Sequence, residues 1–465
     1  WLYTLVENIS GQPIGNLPSG HLLAMKDMCL LRQIPDLVHA GICSFKIEGR
    51  MRHADLLKIV VGIYRKAIDA YLDNPATYYL SSGEYEQLYH HRIREFTTSL
   101  AFTPASASLV DISGSREPLF LSRAAKEPSL TIEDIYHAPF EDSVTDYQET
   151  GHPILSVKVA SMNALMAALD EEADRIYISG EVSPLRKQYW TKISYKEACK
   201  RVHSAGKTIG IGTPRITTER EMADAAWLFE QAASLGVDYV LVHNLGTMRL
   251  AKEFGLKILG DYSLNVINGQ TVNLLKELGA CGITTSLECS YNHLKQISIE
   301  SSLPVECIVH GPVSSMVLEH CIPAMMISKS HKKDNCRQVC QYMGYALKDE
   351  RGELRPIEID QYCRNHLLLA RDICLLPYLH AFVHTSAKVF RIEAQYYEDG
   401  LVKTLVGLYH KYLNILQEHP NLSLPVQESD WNKLVEESPR GFNLGGYVHD
   451  ITHSKSTAEV MKSIK

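Results

Sequence analysis

From residue 152 onward, short apolar runs alternate with amphipathic stretches of helical period. The runs are ILSVKV (154–159), RIYISG (175–180), KTIGIGT (207–213), DYVLVHN (238–244), LKILGDYS (256–263), GITTSLE (282–288), VECIVHG (305–311) and VFRIE (389–393). Between them lie segments such as SMNALMAALDEEA, ISYKEACKRVHSAG and EREMADAAWLFEQAASLG, whose apolar positions recur every three to four residues. Strands without polar alternation, separated by helices, predict a parallel sheet covered on both faces. Eight such units predict an α/β fold of the (β/α)8, TIM-like barrel type. A doubly wound open sheet is the alternative. One connection is anomalous: Pro312 to Lys388 separates the seventh strand from the eighth, far longer than an ordinary βα loop and helix. Such insertions emerge at the C-terminal face, where barrel active sites sit.

The same pattern occurs twice in part. His21–Asp69 aligns without a gap on His366–Asn414 at a constant offset of 345, with 18 of 49 positions identical. Each copy reads as helix, strand, helix, with the strand at Ser44–Ile47 in the first copy and at 389–393 in the second. This is a duplicated unit. The expected organisation is therefore a C-terminal remnant of a first barrel module over 1–72, a small β-rich connecting domain and linker over 73–151 (FTTSLAF, ASASLVDI, PLFLS), a second barrel module over 152–420 with its cysteine-rich insertion at 312–388, and a tail over 421–465. Because the first copy begins so near Trp1, the chain is expected to start inside its first module.

Composition narrows the class. Hydrophobic residues make up 45% and charged residues 22%, with a net charge of −7, ordinary for a globular chain and unlike a strongly basic nucleic-acid surface. No run approaches the roughly 20 apolar residues of a membrane span. Eleven cysteines, unevenly spread, argue for reduced thiols and a cytoplasmic setting rather than a disulfide scaffold. Cys321, Cys336, Cys340 and Cys363 form a C-x14-C-x3-C-x22-C pattern inside the insertion. Four thiolates from one loop suit a 4Fe–4S cluster or zinc; the single close pair with x3 spacing favours the cluster over a zinc ribbon. Cys29 and Cys374 sit in apolar helical contexts, and Cys199, Cys281, Cys289 and Cys307 in or beside barrel elements, so all six read as packing.

Polar residues at the ends of the predicted strands converge on one mouth in a barrel. They are Arg215, His243, Asn244, Tyr262, Asn265, Glu288, His310 and Glu393. Glu288, His310 and Glu393 are the candidates for orienting a substrate. There is no P-loop, no G-x-S-x-G elbow and no HExxH motif.

AGICSFKIEGRMRHADLLKIVVGIYRKAIDAY (40–71), HRIREFTTSLAF (91–102), SLEC (286–289) and ECIVHGPVSSMVLEHC (306–321) resemble segments of the collagenase-like peptidase family (family U thirty-two). The resemblance implies proteolysis by name, with no assigned catalytic class. It also implies kinship with oxygen-independent hydroxylases that carry a 4Fe–4S cluster and act on RNA bases or a quinone precursor. Carried over by position, the cluster ligands are Cys321, Cys336, Cys340 and Cys363. Ser314 stands where the family has its first signature cysteine, and Ala394 and Gln395 stand where the first copy has Gly49 and Arg50. The leading expectation is hydroxylation of an RNA base or small aromatic substrate, the cluster activating the oxygen source. The alternatives are a peptidase acting on a protein or peptide, and a non-catalytic partner.

Overall fold

A computed structural model describes residues 2–49, 52–103, 105–114, 129–130, 152–186, 189–328, 336–385, 387–419 and 426–448. The chain forms two compact units. One comprises Trp1–Ala125, Val317–Ile357 and Tyr362–Asn365; the other comprises Lys126–Met316, Glu358–Gln361 and His366–Lys465.

The second unit is a closed parallel barrel. Its strands are β1 (Ile154–Val159), β2 (Arg175–Ile178), β3 (Thr208–Gly212), β4 (Tyr239–Val242), β5 (Ile258–Gly260), β6 (Ala280–Thr284), β7 (Val305–Gly311) and β8 (Val389–Glu393). They pair in that order, and β8 closes the ring by pairing in parallel with both β7 and β1, from Val389↔Ile154 to Glu393↔Lys158. The expected barrel is therefore present, with β8 as its eighth strand.

Outside it pack α1 (Met162–Asp170), α2 (Lys192–Ser204), α3 (Met222–Leu235), α4 (Leu245–Glu253), α5 (Gly269–Leu278), α6 (Tyr291–Glu300), the short α7 (Leu379–Val383) and α8 (Asp399–Glu418). Their starts are written locally. Side-chain oxygens of Ser161, Asn244, Asn268 and Ser290 accept backbone N–H bonds from the first turns of α1, α4, α5 and α6. At the end of β7, Gly311 has φ 127° and lies so near β8 that a Cβ would stand 2.4 Å from the Glu393 carbonyl. Only glycine fits there.

In the first unit, Tyr3–Glu7 pairs antiparallel with Tyr345–Asp349, which pairs with the strand beginning at Leu354. The same unit holds the first copy of the repeat. Asp27–Met28, Leu31–Gln33, Ile34–His39 and Ala54–Asp73 match Asp372–Cys374, Leu376–Tyr378, α7 and α8 at the offset of 345. Contacts repeat as well: Tyr64 hydrogen-bonds Cys29 (3.7 Å) as Tyr409 does Cys374. The duplication also runs further than the sequence identity. The helix Ser82–His91 and strand Phe96–Thr97 match Glu428–Glu437 and Phe442–Asn443, and each terminal strand pairs in parallel, Asp27↔Phe96 and Asp372↔Phe442.

Two expectations need correction. Over 73–114 the described residues are not β-rich: a helix and short turns dominate, and Phe96–Thr97 is the one strand. PLFLS (118–122) lies outside the described residues. Ser44–Ile47 is not a strand but a largely exposed loop. Its counterpart β8 is held by ladder bonds to two neighbours, and among the described residues Ser44–Ile47 has neither.

The helix after each copy registers that difference. Ala54–Asp73 buries Ile63 and Ala67, whereas α8 buries nine side chains, among them Val402, Leu405, Val406 and Leu413. Val406 is fully buried and its repeat mate Val61 is 49% exposed. Val406→Ala is therefore expected to destabilise by about 2 kcal/mol, and Val61→Ala by less than about 0.5 kcal/mol, measured as shifts in urea midpoint.

Candidate functional site

The barrel interior carries charge where a TIM barrel ordinarily stacks aliphatic layers. Arg391 and Glu393 are two residues apart on β8 and so face the same way. The Arg391 guanidinium, fully buried, meets Asp261 at 2.6 Å, Glu306 at 2.7 Å and Glu393 at 2.7 Å. Lys158, 1% exposed, stands 3.6 Å from Glu393 and 3.8 Å from Asp261. Glu306 is the hub of four strands: it accepts from Ser156 of β1 (3.2 Å), Tyr177 of β2 (2.8 Å), Thr284 of β6 (3.2 Å) and Arg391 of β8.

The charges depend on one another. Burial alone would push the Asp261 carboxyl up, but Arg391, His243 and Lys158 together hold it well below the usual carboxylate range. Burial also opposes the ammonium of Lys158, and Glu393, Asp261 and Glu181 more than offset it, so Lys158 stays protonated. Three buried carboxylates thus share two buried cations, an arrangement stable only while complete.

At the C-terminal ends of these strands lies a pocket of about 380 Å³, including its part open to solvent, lined by Glu181, Tyr262, Leu287, Ile308, Pro312, Val313, Ser314, His366, Glu393, Gln395 and Tyr396. Glu181 follows β2. Burial raises its carboxyl, and Lys158, His366, His243 and the Arg215 backbone N–H bring it down, so it is ionised. The Gln395 amide donates to Glu393 at 2.8 Å. Burial pushes the Tyr262 phenol up to about 12, so both Tyr262 and Tyr396 present neutral rings.

Of the three substrate-orienting candidates, Glu393 lines this pocket. Glu288 is exposed in the turn after β6, and its neighbour Leu287 takes the wall position. His310 faces the other way. A register irregularity between Ile308 and His310 turns it outward, against Tyr397, Tyr409 and Phe442. A substrate-orienting role does not fit that place. Arg215 donates to the Ser314 carbonyl (3.2 Å), Asn244 caps α4, and Asn265 accepts from Ser286 (3.4 Å). Lys158, Glu181, Asp261, Glu306 and Arg391 were absent from the expected set. Their signal was a lone charge within or at the end of an apolar run, as in ILSVKV, VECIV and VFRIE.

His310 has a measurable consequence. Burial pushes its imidazole down to about 3, below the unfolded value of about 6.5. The unfolded chain therefore takes up the proton first, and stability falls as pH drops below about 6.5. Between pH 7 and pH 5 this group should cost about 2 kcal/mol. His310→Phe should flatten that part of the urea-midpoint profile.

The four insertion cysteines lie together in the first unit. Cys336 is buried; Cys321, Cys340 and Cys363 are partly so. Burial first, and then the neighbouring thiols Cys321, Cys363 and Cys336, push Cys340 up to about 12. Burial likewise raises Cys321, with Cys363 and Cys336 adding to it. Arg337, Gln338 and Cys363 all take left-handed backbone (φ 55°, 50° and 62°), a cost that persists where surroundings impose it and that gathers at ligand-holding loops. Among the described residues, no three Cys, His, Asp or Glu side chains are arranged to hold a single metal ion. By contrast, Cys199, Cys289, Cys307 and Cys374 are buried in the barrel's hydrophobic core, in keeping with their reading as packing. No described helix is long and apolar enough to cross a membrane.

The model of peptidase family U32 matches residues 1–110 and 160–457. An uncharacterized protease of Methanocaldococcus jannaschii is 22% identical over 299 residues, covering 62% of this chain and 72% of its own. The 23S rRNA 5-hydroxycytidine synthase of Escherichia coli is 23% identical over 278 residues, covering 59% of this chain and 41% of its own. A tRNA hydroxylation protein of Bacillus subtilis, P1, is 33% identical over 91 residues, 19% of this chain and 22% of its own. The chain thus spans less than half of either RNA-modifying relative. A solved U32 peptidase aligns over 37% of this chain and 76% of its own, at 16% identity and a TM-score of 0.30.

Proposed function

The chain belongs to peptidase family U32, and from that premise we propose that it is an RNA-hydroxylating enzyme whose insertion cysteines hold a 4Fe–4S cluster. The observation that carries the reading is the gathering of Cys321, Cys336, Cys340 and Cys363. Scattered along the sequence, they end as neighbours whose thiols raise one another. Four thiolates in one place repel, and a cation among them relieves the repulsion. A single zinc needs all its sulfurs about 2.3 Å from one point. The one close pair, Cys336 and Cys340 with three residues between them, departs from the paired knuckles of a zinc ribbon and favours a cluster. The cluster, when bound, supplies redox chemistry toward an oxygen donor.

The barrel pocket supplies what a base needs. Tyr262 and Tyr396 offer aromatic faces to a flat ring, the usual means of holding an unstacked base. Glu181, Glu393 and Gln395 offer polar edges. The RNA substrate class rests on two relatives named for rRNA and tRNA hydroxylation.

The test is nucleoside mass spectrometry of total RNA from a host with and without this chain. The expected result is a pyrimidine nucleoside heavier by one oxygen that is lost with Cys340→Ser. RNA identical in both hosts contradicts the reading.

A further inference from the structure

The turn after β5 sets a serine against His243 and Asp261, which also border the buried charged layer. Ser263 Oγ lies 3.1 Å from Nδ1 of His243, at the end of β4. On the other side of the same ring, Nε2 lies 3.2 Å from Asp261 Oδ2, close but off the axis of an aligned hydrogen bond. His243 and Asp261 are buried, Nε2 and Oδ2 each make no aligned hydrogen bond, and Lys158 Nζ stands 3.8 Å from the same Oδ2. Ser263 is half-buried, beside the pocket-wall residue Tyr262.

The nearby carboxylate is itself held in place. Asp261 Oδ1 is taken by Arg391 and by the Tyr262 backbone N–H (2.7 Å), which holds the carboxylate in place. The carboxylate 3.2 Å from Nε2 favours the tautomer with its proton there, in which Nδ1 accepts from the Ser263 hydroxyl. The order nucleophile, base, orienting carboxylate is the one that activates a serine, and it is recognised by geometry rather than by sequence order. Asn265, in left-handed backbone (φ 52°), has its Oδ1 held by Ser286.

We propose that Ser263 is the nucleophile of an acyl-transfer site acting on amide or ester carbonyls, with His243 as general base and Asp261 positioning His243. The Ser263 O–H bond breaks and its proton passes to His243 Nδ1 as Oγ bonds to the carbonyl carbon. The C–N or C–O bond then breaks, and the leaving group takes that proton. Water repeats the sequence on the acyl-serine, releasing the acid and restoring Ser263. No oxidant or cofactor enters, so the site stands independently of the RNA reading.

The test is a fluorophosphonate probe on the folded chain, read by gel fluorescence and peptide mass spectrometry, with melting temperatures recorded for each variant. Labelling is expected on the peptide containing Ser263. It should be absent in Ser263→Ala and slowed about 100-fold or more in His243→Asn, which keeps a polar contact to the serine but cannot carry the proton. Hydrolysis of p-nitrophenyl butyrate or of casein by the wild type, lost in Ser263→Ala, then identifies the ester or peptide class. No labelling of folded wild type, or equal labelling in Ser263→Ala, overturns the proposal.

Discussion

Replacing Arg391 with methionine is expected to destabilise the barrel by about 3–5 kcal/mol or more, the range for removing one partner of a buried ion pair. The side chain is fully buried and touches three carboxylates, on β8, on β7 and after β5. Without it, Asp261 and Glu393 are left with their longer pairs to Lys158, and Glu306 loses its 2.7 Å partner. They must take up protons or draw in water, so the loss should shrink as pH is lowered toward the carboxylate range. An effect of this size removes a large fraction of an ordinary domain's stability. The control is Arg201→Met, whose exposed pair with Glu197 on α2 should contribute less than about 1 kcal/mol. Thermal midpoints of the two variants side by side check the contrast. Equal shifts would mean that the charged layer does not hold the barrel together.

That layer also shows what could and could not be read along the chain. The eight strands were legible because each is an apolar run between helix-period segments, and of the residues named at their ends Tyr262 and Glu393 line the pocket. Facing was not legible. His310 ends VECIVH and on simple alternation belongs with Glu306 and Ile308, but one irregular residue in β7 turns it to the opposite side. Ser44–Ile47 carries the same pattern as β8, so local sequence assigned it the same structure. A strand, however, is completed by its neighbours, and composition does not reveal whether they are there. Of the partners of Ser263, His243 was legible at a strand end, whereas its approach to Asp261 depends on the pairing of β4 with β5, Val242 against Gly260.

The second large effect concerns the insertion cysteines. Cys336→Ser or Cys340→Ser should abolish iron retention, because losing one of four thiolates opens a cluster to solvent. Cys199→Ser or Cys374→Ser should leave it intact, since these thiols sit in the hydrophobic core of the barrel unit. Serine at position 374 should still cost stability, by burying a hydroxyl in that core. The two groups therefore separate on different axes: iron per chain falls in the first and the urea midpoint in the second. Equal iron loss in both would detach the cluster from these four residues.

What the four gathered thiols hold decides the chemistry of this protein, and iron and acid-labile sulfide per chain, measured after anaerobic preparation, test it most directly. Near four of each per chain, falling toward zero in Cys340→Ser, is the predicted result. One zinc per chain with no sulfide, or four free thiols with no metal, would contradict it.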